Sequence, residues 1–253
     1  MKIVSLFAVI LICSAEMSEA QKTIKASKPP LHTVWNDLLH KHVSPIGKVN
    51  YKGFVKDSVE LKIYLDSLSN NPPDKNTWSN EEQLAYWINA YNAFTVKLIV
   101  SHYPVKSITD LHPKFYIPLL NTVWHIKFFN IGGIPFNLDR IEHSILRKEF
   151  NEPRIHFAIV CASVSCPPLR NEAYVATKLN EQLNNQAKLF INDAKRNNIS
   201  RDKVDISKIF SWFKGDFTKN GSLIQFLNLY SNIKISGDAT IDYMEYNWNL
   251  NEQ

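Results

Sequence analysis

The 253-residue sequence predicts an α+β (mixed α/β) fold: a mostly helical single domain around one central buried helix, with a small sheet beside it. Three observations predict it. The run from Leu84 to Tyr103 is apolar on nearly all its sides, which describes a helix enclosed by other elements. Shorter amphipathic runs before and after it supply the enclosing helices. Three stretches rich in β-branched and aromatic residues, 123–129, 154–161 and 241–248, read as strands.

At the start of the chain, Met1-Lys2 is basic and Ile3 to Cys13 is an apolar run too short to persist as a membrane anchor. Ser18-Glu19-Ala20 then offers a small-x-small cleavage site. Residues 1–20 are therefore expected to be a signal peptide, and the protein exported, periplasmic or secreted. A lipoprotein with Cys13 lipidated is the alternative, weakened by Ile12 where such a site wants a small residue. Residues 21–30 are polar and close on Pro29-Pro30, a disordered leader ahead of one globular domain over 31–253. No later segment has the length of a membrane-spanning helix. The net charge of +5 is mildly basic, without a basic stripe interleaved with aromatics, so nucleic acid is not an expected partner. The oligomeric state is left open.

Val34–Val43 and Val59–Leu68 have helical spacing, and Pro72-Pro73 stops the second. Ser79 to Glu82 is a capping box for the central helix, and Pro104 ends it. Asn89 and Asn92 fall among its apolar positions. A buried amide without partners costs about 1–3 kcal/mol, so each either bonds neighbouring backbone or lines a site. Asn137 caps a helix over Leu138–Phe150, where Glu142 lies in the apolar stripe and needs a partner, with Arg154, His156 and Arg170 the candidates. His143 faces the other way, with Asp139, Arg140 and Arg147. Helices are expected over Thr177–Asp193, Ser207–Phe217 and Ser222–Tyr230.

The densest chemistry is in Arg154–Arg170, RIHFAIVCASVSCPPLR. Strand alternation puts Arg154, His156, Ala158 and Val160 on one face and Ile155, Phe157, Ile159 and Cys161 on the other. A loop of small residues ending in Ser165 then presents Cys166, fixed by Pro167-Pro168. A disulfide between Cys161 and Cys166 is one reading. Alternation argues against it, since it buries Cys161 in the sheet while Cys166 lies past the break.

The stretches WINAYNAFTVKLI, LDRIEHSILR, RIHFAIVCASVSCPPLRNEAY, SKIFSWFKGDF and IDYMEYNWNLN resemble the domain-of-unknown-function family numbered 547. The resemblance spans roughly Trp35 to Asn251. It implies an exported bacterial member, or the kind of domain that ends certain plant proteins, and no agreed activity. Asn89, Asn92, Glu142, His143, Arg154, His156, Cys166, Pro167 and Arg170 match the family's motifs.

The leading expectation is a cysteine-dependent hydrolase or acyltransferase acting on an amide or γ-glutamyl bond, papain-like by analogy. Cys166 is the nucleophile, His156 its base with His143 in reserve, and Glu142 orients the imidazole. Asn89, Asn92, Arg154, Ser165 and Arg170 bind substrate, a small molecule or peptide, and the Asn89 amide or the Ser163–Cys166 backbone amides hold an oxyanion. The alternative is a non-catalytic ligand-binding or scaffold module of the cell envelope using the same polar pocket. A metal site from Cys166, His143, His156 and Glu142 has suitable donors but no established zinc spacing. No cofactor is expected.

Overall fold

The computed structural model describes residues 28–117 and 120–253. The expected signal peptide and most of the leader lie outside the described residues.

Helices α1 (Thr33–His42), α2 (Tyr51–Lys56) and α3 (Ser58–Asn70) pack on one another and on α4 (Asn80–His102), with α2 and α3 directly against it. The capping box of α4 forms as expected. Ser79 Oγ accepts from the Glu82 N–H at 3.1 Å, and Glu82 Oε2 accepts from the Ser79 N–H at 2.7 Å. Every α4 residue from Leu84 to Val96 is buried, which is what the all-round apolar pattern requires. The helix ends at Tyr103, extended ahead of Pro104.

A hairpin of β1 (Phe129–Ile131) and β2 (Ile134–Phe136) follows, closed by Gly132-Gly133 with both φ angles positive, at 60° and 76°. A π-wound helix, Arg140–Leu146, continues into the single turn α5 (Arg147–Glu149). Next come α6 (Ile155–Ala158) and α7 (Leu179–Ile191). A three-stranded sheet then orders β3 (Asn198–Ile199), β4 (Lys203–Ile206) and β5 (Thr240–Tyr243), antiparallel between the first two and parallel between the last. The short helices α8 (Ile209–Trp212), α9 (Lys214–Phe217) and α10 (Leu223–Leu227) form the crossover between β4 and β5.

The α+β class therefore stands, but two of the three expected strands do not form and the third is short. Residues 154–161 are not a strand: Ile155–Ala158 is a helical turn, and the chain extends only from Ile159. Side-chain amides replace a ladder here. Asn92 Nδ2 donates to the Ala158 carbonyl and its Oδ1 accepts from the Val160 N–H, both at 2.9 Å. Gln186 on α7 donates to the Phe157 carbonyl at 3.3 Å. At 123–129 the chain makes a 3-10 turn, Val123–His125, because imidazoles take its first amides: His112 Nδ1 accepts from the Val123 N–H at 3.0 Å and His125 Nδ1 from the Thr122 N–H at 3.2 Å. Of the last stretch only Ile241, Asp242 and Tyr243 pair in the sheet. Residues 247–251 instead strap the cysteine loop, with Asn249 O accepting from the Val164 N–H at 2.8 Å and the Asn251 N–H donating to Ala162 O at 3.0 Å.

Buried side chains form two clusters. One surrounds α4; the other gathers Phe157, Phe190, Phe210, Phe217 and Leu227 under the three-stranded sheet. α6 contributes to both, Ile155 and Ala158 to the first and Phe157 to the second. Replacing Asn92 with Ala strands two buried backbone groups, so urea unfolding of Asn92→Ala is expected to show a loss of about 2–4 kcal/mol. A loss under about 0.5 kcal/mol would remove this amide from the interactions that hold the segment.

Candidate functional site

A cleft of about 850 Å³ opens where residues of the two clusters meet. Its floor carries Tyr91 of α4, Glu142 and His143 of the π helix, His156 of α6, and both thiols. Its far wall is aromatic. Trp124, Trp212, Tyr246 and Trp248 are packed with ring centroids 4.5–5.9 Å apart, and Trp212 is 47% exposed.

The cysteine loop is built to bring its sulfurs together. Ala162 sits in the left-handed region at φ 62°, a conformation that disfavours a side chain. It reverses the chain so that the Cys161 N–H donates to Cys166 Sγ at 2.8 Å. Arg196 grips the loop from outside, its Nε donating to the Cys166 carbonyl at 2.7 Å and its Nη2 to the Val164 carbonyl at 2.9 Å. Gly47, at φ 76°, lies so close to Pro168 that any Cβ there would stand 2.3 Å from the Pro168 Cβ. Both thiols are free, and the sulfurs lie 2.9 Å apart. The expectation that they would not meet rested on a strand that does not exist.

The two thiols differ sharply. Cys166 is 3% exposed, and burial, then the neighbouring Cys161, pushes its pKa well up, so it stays protonated. Cys161 is half-buried on the cleft. A hydrogen bond from Cys166 does most to favour its thiolate; Ser163 Oγ at 3.3 Å and the Tyr246 hydroxyl at 3.2 Å add to it, and together they outweigh burial and bring it down to about 7.

Glu142 is also in the floor, at 8% exposure. Burial pushes its carboxyl up to about 7, opposed by the Tyr91 hydroxyl donating to Oε2 at 3.1 Å and reinforced by the charge of Cys161. Its partner is thus a tyrosine, not the arginines or histidine expected. Glu142 and His143, adjacent on a segment of π winding, both line the cleft.

Neither histidine hydrogen-bonds a thiol among the described residues. His156, 3% exposed, directs Nε2 onto Asp216 Oδ2 at 2.8 Å and stacks on Phe213. Burial lowers its pKa, against the pull of Asp216. Asp216 is itself held well below the usual carboxylate range, since hydrogen bonds from His156 and Arg147 outweigh its burial. The neutral ring therefore donates Nε2–H to a carboxylate. His143 accepts from Arg147 Nη1 at 2.7 Å through Nδ1 and turns Nε2 toward Asp139, 3.7 Å away; burial lowers its pKa as well.

The expected binding residues are placed elsewhere. Asn89 and Asn92 bond backbone, Asn89 pairing with both the carbonyl and the N–H of Tyr174 at 2.7 and 3.0 Å. Arg154 joins Glu152, Asn180 and Asn184, and Arg170 joins Glu172. Ser165 holds the C-terminal strap, its Oγ accepting from the Asn247 N–H at 2.9 Å. The loop amides expected to bind an oxyanion are also occupied, those of Val164, Ser165 and Cys166 by Asn249, Asn247 and Ser163 carbonyls. Cys161, Tyr91 and Tyr246, which line the cleft, and Asp216, which holds His156, are not among the site residues expected from the sequence. Cys161 and Tyr91 were discounted because apolar periodicity assigned them to the core. No group of three or more His, Cys, Asp or Glu among the described residues is arranged to hold a metal ion, and no described helix is long and apolar enough to cross a membrane.

Residues 75–191 match the model of a family described as protein of unknown function, DUF547. That span includes Tyr91, Glu142, His143, His156 and both thiols, while Trp212, Asp216, Tyr246 and Trp248 lie beyond it. No curated protein and no solved structure matches the chain.

The carboxyl of Glu142 makes a pH-dependent prediction. Its folded pKa of about 7 lies above its ordinary 4.5, so between these values the folded state binds more protons than the unfolded one. Stability from this group is complete below 4.5 and is lost as pH rises through 7. Glu142→Gln lacks the loss, and is expected to be more stable than wild type by about 2–3 kcal/mol at pH 8 and level with it at pH 4.5. Urea titrations at both pH values check this; an equal difference at the two would rule out a raised carboxyl.

Proposed function

We propose that this member of the DUF547 family is a cysteine-dependent hydrolase or acyltransferase acting on an amide or γ-glutamyl bond, with Cys161 as nucleophile. The observation that carries the reading is a half-buried thiol, lowered to about 7 by hydrogen bonds from Cys166, Ser163 and Tyr246, on the floor of a large cleft. Cys166, given that role from the sequence, here has a different one: its buried S–H is the main donor to the thiolate.

In the proposed step Cys161 Sγ attacks the substrate carbonyl carbon and a C–S bond forms. As the sulfur loses its charge, the Ser163 and Tyr246 hydroxyls that held it are freed to turn to the carbonyl oxygen, where charge is building. The leaving amine takes a proton from Glu142, a group poised near neutrality as general acid catalysis requires. Water then cleaves the thioester, with the Glu142 carboxylate removing its proton, or an acceptor amine takes its place. His156 and His143, held by Asp216 and Asp139, also line the cleft, and in this reading the more exposed His143 is the one that contacts substrate.

The row of Trp124, Trp212, Tyr246 and Trp248 favours a second reading, a module that binds a ligand through aromatic contact and releases it unchanged. Incubation with p-nitrophenyl acetate separates the two. The enzyme reading expects a burst of p-nitrophenolate and an acetyl adduct on Cys161, absent in Cys161→Ala, and hydrolysis of a γ-glutamyl anilide. A Cys161 that is alkylated by iodoacetamide yet never acylated would leave only the binding module.

The pH dependence of alkylation tests the thiolate itself. The groups facing Cys161 are Cys166, Ser163, Tyr246, Tyr91 and Glu142. Iodoacetamide is expected to label Cys161 with a midpoint of about 7, and Cys166→Ala, which removes the largest favourable contact, moves it toward the ordinary 9.0. A wild-type midpoint near 9.0 would show that these donors do not stabilise the thiolate.

A further inference from the structure

We infer that Cys161 and Cys166 form a redox-active dithiol, in which a hydroperoxide oxidises Cys161 and Cys166 resolves the product to a disulfide. The inference rests on the reading of Cys161 as the cleft's accessible thiolate and extends it to a second chemistry of the same site.

Three features of the geometry lead to it. The sulfurs already touch, at 2.9 Å, and reach a disulfide's ~2.05 Å by a further approach of about 0.9 Å. They are unequal in access: Cys161 lines the cleft half-buried, whereas Cys166 sits behind it at 3% exposure. An outer, attacking thiol with an inner, protected one is the arrangement that lets a sulfenic acid be captured before it is oxidised further. Finally, the loop is held from several sides. Arg196 binds two of its carbonyls, the 247–251 strap binds the amides of Val164 and Ser165, and Gly47 presses on Pro168. These contacts fix the backbone on which both thiols stand, and the hydrogen bond from the Cys161 N–H to Cys166 Sγ holds the inner sulfur toward the outer residue.

The chemistry balances with the hydroperoxide as oxidant. The Cys161 thiolate attacks the terminal oxygen of ROOH; an S–O bond forms, the O–O bond breaks, and RO⁻ leaves and takes a proton to become ROH. The sulfur is oxidised and the peroxide reduced by two electrons. Ser163 Oγ and the Tyr246 hydroxyl, 3.1 Å from each other and both within 3.3 Å of Cys161 Sγ, are the donors available to the departing oxygen. Cys166 then gives up its proton and attacks the sulfenic sulfur of Cys161. The S–S bond forms, the S–O bond breaks, and the hydroxide released combines with that proton as water. In the disulfide the nucleophile is gone, so the proposed acyl transfer is switched off until a thiol reductant restores it.

Both cysteines fall in one tryptic peptide, Ile155–Arg170, which has no internal Lys or Arg. The test treats reduced full-length protein with one equivalent of hydrogen peroxide, then labels with iodoacetamide and maps that peptide. Wild type is expected to lose two hydrogens as an internal disulfide, with labelling of Cys161 down about tenfold and recovered by dithiothreitol. Cys166→Ser is expected to give a Cys161 sulfenic acid trapped by dimedone, advancing to sulfinic acid that dithiothreitol does not reverse. Cys161→Ser is expected to leave Cys166 unmodified. Sulfinic acid forming on Cys161 in wild type as fast as in Cys166→Ser, with no disulfide, overturns the inference while the labelled thiolate of the proposed function survives. A Cys161 that iodoacetamide does not label before peroxide is added sinks both. Should the variants fail to fold, wild type equilibrated in glutathione redox buffers decides the matter: an internal disulfide is expected, and a mixed glutathione adduct on Cys161 at every ratio overturns it.

Discussion

Everything at the site depends on two amides of the central helix. Asn92 holds the chain at Ala158 and Val160, and Asn89 holds it at Tyr174, so the cysteine loop is suspended between two fixed points on α4. Each amide uses its donor and its acceptor on backbone that no sheet satisfies. In a buried setting such paired bonds have no water to compete with them, and leaving either half unmade costs about 1–3 kcal/mol. The same helix contributes Tyr91 to the cleft, so α4 sets both the backbone position of the thiols and the environment of the carboxyl beside them.

The family match covers the suspended segment, its anchors and Trp124, and stops before the other three residues of the aromatic wall. Trp212, Tyr246 and Trp248 come from the crossover after β4 and from the stretch that follows β5. This stretch does two things at once. Its backbone closes the cysteine loop through Asn247, Asn249 and Asn251, and Tyr246, the residue just before the strap, brings its hydroxyl to 3.2 Å from the Cys161 sulfur. The thiol chemistry and the shape of the cleft are thereby tied to one stretch of backbone.

Much of this was legible in the sequence. The capping box at Ser79, the all-round apolar pattern of α4 and the Asn137 cap that accepts from the Arg140 N–H at 2.7 Å are local signals that tertiary contacts did not override. The strand assigned to 154–161 failed because a short apolar run has no period of its own. What decides its conformation is whether a neighbour offers a ladder or, as Asn92 and Gln186 do, side-chain amides. The expected segment does reach the cleft, but its more exposed thiol is Cys161 and not Cys166. The error follows from the strand: alternation hid Cys161 in a sheet and placed Cys166 in the open, whereas the turn at Ala162 reverses them. Partners from distant sequence, such as Asp216 for His156 and Tyr246 for Cys161, leave no local periodicity to read.

The charge balance of the cleft explains why its two acidic groups stand near neutrality together. Cys161 and Glu142 each titrate at about 7, and ionised Cys161 raises the Glu142 carboxyl. The nearby cation, Arg147, is engaged by Asp216 and His143, and its charge favours the Glu142 carboxylate less than burial disfavours it. Two coupled groups of like charge titrate as a unit, and the first proton to leave makes the second harder to remove. The proposed nucleophile and the proposed acid therefore influence each other's ionisation across the cleft. The donors that favour the Cys161 thiolate are neutral, whereas an imidazolium against the sulfur would add a positive charge and draw the carboxyl toward ionisation as well.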